Sequence, residues 1–100
     1  MSIALLILDN DTNTPLFQDS MDVTGMTIES FVKHVNKSWN LISVFLVNDG
    51  TEVLDMTKEK ADMFVSDLYD TYEFEMEMNE LWIEVKVGKI PKNDINIGGF

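Results

Sequence analysis

One hundred residues with 45% hydrophobic side chains and ten aromatics are enough for a single packed core, which excludes a disordered chain. The absence of cysteine excludes disulfides, thiolate metal sites and cysteine chemistry. A net charge of −11, from eighteen acids against seven lysines and no arginine, argues against a direct grip on nucleic acid or an anionic membrane.

The chain opens with a continuous apolar run, Ile3 to Leu8, expected of a central strand covered on both faces. Without a basic flank or a small-residue cleavage site it is a poor signal peptide, and it is too short to span a bilayer. It reads as the first strand of a soluble, cytoplasmic protein. The segment "DNDTNTP" is a turn, and Leu16 to Asp19 returns as a short strand. Thr27 is a helix N-cap, and Ile28, Phe31, Val32, Val35 and Trp39 then mark one face of an amphipathic helix.

Leu41 to Val47 is a second buried strand, turned by Asn48, Asp49 and Gly50 into a strand from Thr51 to Leu54. Thr57 is again an N-cap candidate, with Ala61, Phe64, Val65 and Leu68 in helical register behind it. The two halves share this hairpin-then-helix plan, and the Phe-Val pair recurs at an offset of 33 residues. Convergence explains that echo as well as duplication does.

The stretch "YEFEMEM", Tyr72 to Met78, alternates strictly and reads as a strand. A two-residue turn at Asn79 and Glu80 would fold it against Leu81 to Val87, with Tyr72, Phe74, Met76 and Met78 on the apolar face. The other face would set Glu73 opposite Lys86, Glu75 opposite Glu84, and Glu77 opposite Trp82. Residues 89–100 lose periodicity and read as a loosely docked tail.

The expected fold is therefore α+β, one domain over residues 1–88 in the order ββαββαββ. Its two hairpin–helix units cover about 1–40 and 41–71, and a terminal hairpin covers 72–88. The sheet is mostly antiparallel, with both helices on one face.

Sites of chemistry are few. Asp9, Asp11 and Asn13 have the spacing that opens a calcium loop, but Thr14 and Ser20 stand where its glycine and closing glutamate belong. A plain turn is the better reading, and no metal site is expected. His34 is the only imidazole and lies off the apolar stripe of its helix. The serines show no nucleophile motif, and there is no glycine-rich phosphate loop, so neither an enzyme nor a cofactor is expected.

What stands out is acid. Twelve of the eighteen carboxylates fall between Asp49 and Glu84, a window that holds only Lys58 and Lys60 as cations. Glu73, Glu75 and Glu77 would form a ladder with steps of roughly 6.6 Å along the strand, and Glu84 would add a fourth carboxylate from the neighbouring strand. Trp82 lies among them, and Asp62, Asp67 and Asp70 add to them from helix 2. A solvated face that guards against aggregation is one reading. A docking face is the other, because an aromatic among exposed charges is a common interface anchor.

The sequence thus points to a small non-catalytic binding protein whose acidic face meets a basic, nucleic-acid-binding site on a protein partner. It would act as an inhibitor or a nucleic-acid mimic, in the manner of small acidic inhibitors that phages and mobile elements encode. The ladder alone has about half the charge density of a DNA strand, which carries one charge per roughly 3.4 Å, so the helix carboxylates or a second subunit would have to supply the rest. A self-associating assembly module, a homodimer at its simplest, is the alternative. Its adaptable contacts would come from methionine-rich faces and strand edges.

Overall fold

The computed structural model describes residues 1–76 and 80–88, residues 73–76 by their backbone alone. The elements run β1 (Ser2–Asp9), β2 (Pro15–Asp22), α1 (Ile28–Asn36), β3 (Leu41–Asn48), β4 (Thr51–Asp55), α2 (Val65–Met76) and β5 (Leu81–Val87). A short 3-10 turn, Met56–Lys58, follows β4. The strands form one sheet in the order β2-β1-β5-β3-β4. Three of its pairings are antiparallel, and β1 with β5 is parallel. This is an α+β domain with a mostly antiparallel sheet.

The core follows from strand alternation. Ile3, Leu5 and Ile7 of β1, Ile83, Val85 and Val87 of β5, and Val44 and Leu46 of β3 are buried together on one face. Ile28, Phe31 and Val35 of α1 and Val65 and Leu68 of α2 join the same cluster, so both helices cover that face. Their burial supplies most of the stability, at about 25 cal/mol per Å² of apolar surface removed from water. The run Ile3 to Leu8 is therefore covered on one side and not on both. Ala4 is exposed, and Leu6 and Leu8 are half-buried.

Turn chemistry fixes both hairpins. Asp49 and Gly50 have φ of 52° and 87°, as a two-residue turn with left-handed centres requires. In the first hairpin Asn13 has φ of 60°, and the Asp9 carboxylate accepts from the Asp11 amide and the Thr12 hydroxyl, each at 3.1 Å. The calcium-like spacing is used to close this turn. β2 is longer than its sequence suggests, because β1 is there along its length to pair with it.

Helix α1 is capped as expected. Thr27 Oγ1 accepts from the Ser30 amide at 3.1 Å, and Ser30 Oγ accepts from the Thr27 amide at 2.9 Å. The next two amides, Ile28 and Glu29, donate to the carbonyls of Met63 and Ala61 at 2.9 and 3.0 Å. In return the Val65 amide donates to Met26 O at 2.9 Å. This explains why α2 starts at Val65 and not behind Thr57. The backbone of residues 61–64 is committed to the first turn of α1, which would otherwise leave free N–H groups. Thr57 lies instead in the 3-10 turn, where Asp55 Oδ1 accepts from its amide at 3.0 Å.

The largest departure concerns the terminal hairpin. Tyr72 to Met76 continue α2 and form no strand, while Glu77, Met78 and Asn79 lie outside the described residues. The alternation of "YEFEMEM" competes with a helical period that starts earlier, at Val65, Leu68, Tyr69 and Tyr72. Topology favours the helix. β5 is the middle strand, with β1 on one edge and β3 on the other, so it has no free edge for a hairpin partner. The tail expected over 89–100 also lies outside the described residues.

Candidate functional site

The residues singled out in the sequence divide between the two sides of the sheet. Asp62, Asp67 and Asp70 belong to the helical layer and are all exposed. Asp62 precedes α2, while Asp67 and Asp70 lie within it, three residues apart on one side of the helix. Asp67 sits in the first turn, where a carboxylate also favours the positive end of the helix dipole.

A side-chain contact anchors α2 to the sheet. Tyr69 OH donates to Leu81 O at 2.9 Å, tying the helix to the start of β5, while Thr71 Oγ1 donates one turn back within the helix, to Asp67 O at 2.9 Å. The Asp49 amide donates to Glu80 O at 2.8 Å, which sets the β3–β4 turn beside the approach to β5. Asp49 and Glu80 are both exposed there.

Glu73 and Glu75 lie in the last turns of α2, so the straight row expected of a strand does not exist in that segment. Glu77 is outside the described residues. The like-charge pair expected between Glu75 and Glu84 is absent, because the neighbours of Glu84 across the sheet are Leu6 and Phe45.

Trp82 and Glu84 alternate with the buried Leu81, Ile83 and Val85 and so face away from the helices. Trp82 Nε1 donates to Glu84 Oε1 at 3.3 Å. Pairing extends this open face across the sheet. Ala4, Trp82 and Val47 form one row, Leu6, Glu84 and Phe45 the next, and Leu8, Lys86 and Ser43 a third. Both helices pack on the opposite face, and here Val47 is buried while Leu6, Phe45 and Trp82 are half-buried. A shallow depression of about 350 Å³ is lined by Trp82 with Ala4, Leu5, Leu6, Gln18 and Asp19.

The sequence shows both sides of β1 and β3 as apolar and leads to the expectation of cover on each; that one of these sides is only half-buried was missed. That side carries Leu6, Leu8, Phe45 and Val47, which alternate with the core positions of β1 and β3 and would be polar on a purely solvated face.

Among the described residues the clearly shifted carboxyl is that of Asp22. Asp22, at the end of β2, is held down at about 2, first by the Thr24 hydroxyl and amide and then by the amino group of Met1. That cluster joins the ends of β1 and β2 and is structural.

Among the described residues, no group of three or more His, Asp and Glu side chains is placed to hold a metal ion, and no helix is long and apolar enough to cross a membrane. Comparison with protein-family models, with curated proteins and with solved structures found no significant match for this chain.

Proposed function

We propose that this is a small non-catalytic binding protein whose acidic helical surface docks onto a basic, nucleic-acid-binding site of a protein partner. It competes there with nucleic acid, as phage-type acidic inhibitors do. The observation that carries this reading is the exposure of Asp62, Asp67 and Asp70 on one layer, with Asp49 and Glu80 exposed as well. Lys58 and Lys60 are the only cations in the sequence window that holds these acids.

Electrostatic complementarity of this kind chiefly raises the association rate and specificity, and salt screens it. The partner surface would match carboxylates with lysine and arginine, the same groups that neutralise phosphates.

The test is affinity capture from a source lysate at low and high salt, beside a variant carrying Asp62→Lys, Asp67→Lys and Asp70→Lys. The expected result is a basic nucleic-acid-binding protein retained by the wild type, released by salt or by added DNA, and lost with the variant. Retention of the same proteins by the triple reversal would sink the proposal.

A further inference from the structure

We propose that the open face of the sheet is a homodimer interface, closed by a second copy of this chain in an antiparallel, face-to-face arrangement. This goes beyond the acidic-surface reading and uses the opposite side of the molecule.

The first ground is composition. A sheet with both helices on one side leaves its other side to water, and such a side is normally polar. Here it carries Leu6, Leu8, Phe45 and Trp82, all half-buried, beside Val47, which is already covered within the chain at 2% exposed and adds nothing to the free surface. Five strands about 4.8 Å apart and seven residues of about 3.3 Å give a footprint on the order of 450 Å² per copy. That is the low end of specific interfaces, so reversible association in the micromolar to millimolar range is expected.

The second ground is the placement of charge. β5 is the middle strand, and on the open face it presents Glu84 and Lys86, one of each sign, two residues apart. A two-fold axis lying between two stacked sheets and crossing β5 at Val85 runs the two β5 strands in opposite directions. It sets Glu84 over Lys86 of the second copy and Lys86 over Glu84. The same operation sets Leu6 over Leu8 of the second copy. A two-fold interface must be self-complementary, and this strand satisfies that condition at its centre. Stacked sheets lie about 10 Å apart, within reach of a glutamate and a lysine extended toward each other.

A different protein as occupant would have to match both signs on this strand, whereas a second copy does so by symmetry. The arrangement also leaves Asp62, Asp67 and Asp70 of both copies on the outer surfaces, where the net charge of −11 per chain repels least.

Sedimentation equilibrium over the micromolar to millimolar range tests this with wild type, Glu84→Lys, Lys86→Glu and an equimolar mixture of the two variants. The wild type should show a monomer–dimer equilibrium that high salt does not weaken, because salt screens the net repulsion while apolar burial persists. Each single reversal places like charges across the axis and should lower the association constant about tenfold, the equivalent of 1.4 kcal/mol. For Glu84→Lys this runs against the gain from a net charge reduced from −11 to −9. The mixture should recover wild-type association, since each variant then faces its complement, and this separates lost pairing from lost folding. Asp67→Lys, on the helical layer, should not weaken the dimer.

A single-chain mass for the wild type at every concentration would overturn the inference and leave the face to residues 89–100 or to a different protein. A dimer indifferent to both reversals, or a mixture no tighter than the single variants, would overturn it as well.

Discussion

The Ile28 amide donates to the Met63 carbonyl at 2.9 Å, so the first turn of α1 is closed by the segment that leads into α2. The adjoining isolated bridge between Thr27 and Phe64 runs the same two segments side by side. The two helix N-termini are thereby joined, and a disturbance at one should reach the other.

Thr27→Ala is the direct way to disturb it. The substitution removes the acceptor for the Ser30 amide and should cost about 1 kcal/mol, as cap deletions typically do. Ser30→Ala removes the reciprocal bond, and the double variant should cost less than the sum, because one capping box is lost in both cases. Urea unfolding of the three variants measures this. Hydrogen exchange should show faster exchange at Val65 as well as at Ile28 and Glu29 if the two helix starts open together.

Tyr69→Phe tests how α2 is anchored to the sheet. The hydroxyl donates to Leu81 O at 2.9 Å in a partly buried setting, so its removal should cost about 1 kcal/mol. The ring itself, packed against the core, remains in the variant. A midpoint unchanged from wild type would mean that water replaces the hydroxyl without loss.

How far the fold can be read from sequence depended on whether two periodicities competed. β1, α1, β3 and the Asp49–Gly50 turn each carry one period and one set of breakers, and they form where those signals place them. Residues 61–64 fit a helix by spacing, but the carbonyls of Ala61 and Met63 are taken by Glu29 and Ile28, a partnership no local pattern reveals. Tyr72 to Met76 fit both periods, and the choice rests on β5 lying between β1 and β3, which is a property of the whole sheet. The acids of the candidate site were legible as residues. Their division, with Trp82 and Glu84 on one side and Asp62, Asp67 and Asp70 on the other, was not, because it depends on the assembled layers.

Gly50 should tolerate no side chain without strain. Its φ of 87° lies in the left-handed region, although a Cβ there would meet nothing within 4 Å. Gly50→Ala should therefore cost about 1–2 kcal/mol from backbone conformation alone. Because Gly50 is exposed, unfolding measurements should show a loss of stability with little change in denaturant slope.

The acid dependence of stability should carry the mark of Asp22. Its folded-state pKa lies at about 2, below the ordinary 3.8, because the Thr24 hydroxyl and amide and the amino terminus favour the carboxylate. A lowered folded pKa adds stability that is present in full above the unfolded value and is lost as pH falls through the folded one. Thermal melts of wild type and Asp22→Asn should thus differ at neutral pH and converge between about pH 4 and pH 2. A difference that persists unchanged at the lowest pH would assign the effect to the amide substitution and not to the charge.

The last turns of α2 set stability against charge. Glu73 and Glu75 approach the C-terminal end at Met76, and no basic residue occupies the last turn. Carboxylates there oppose the helix dipole, whose negative end lies at the C-terminus. Glu75→Lys should therefore stabilise the protein by about 0.3–1 kcal/mol at low ionic strength, with the gain shrinking as salt is added. If the acidic surface binds a basic partner, the more stable variant should also be the weaker binder. Unfolding and capture measured side by side would show whether stability and binding pull against each other at this position. A Glu75→Lys protein that gains stability and captures the partner as well as wild type would place the docking surface on Asp62, Asp67 and Asp70 without the end of the helix.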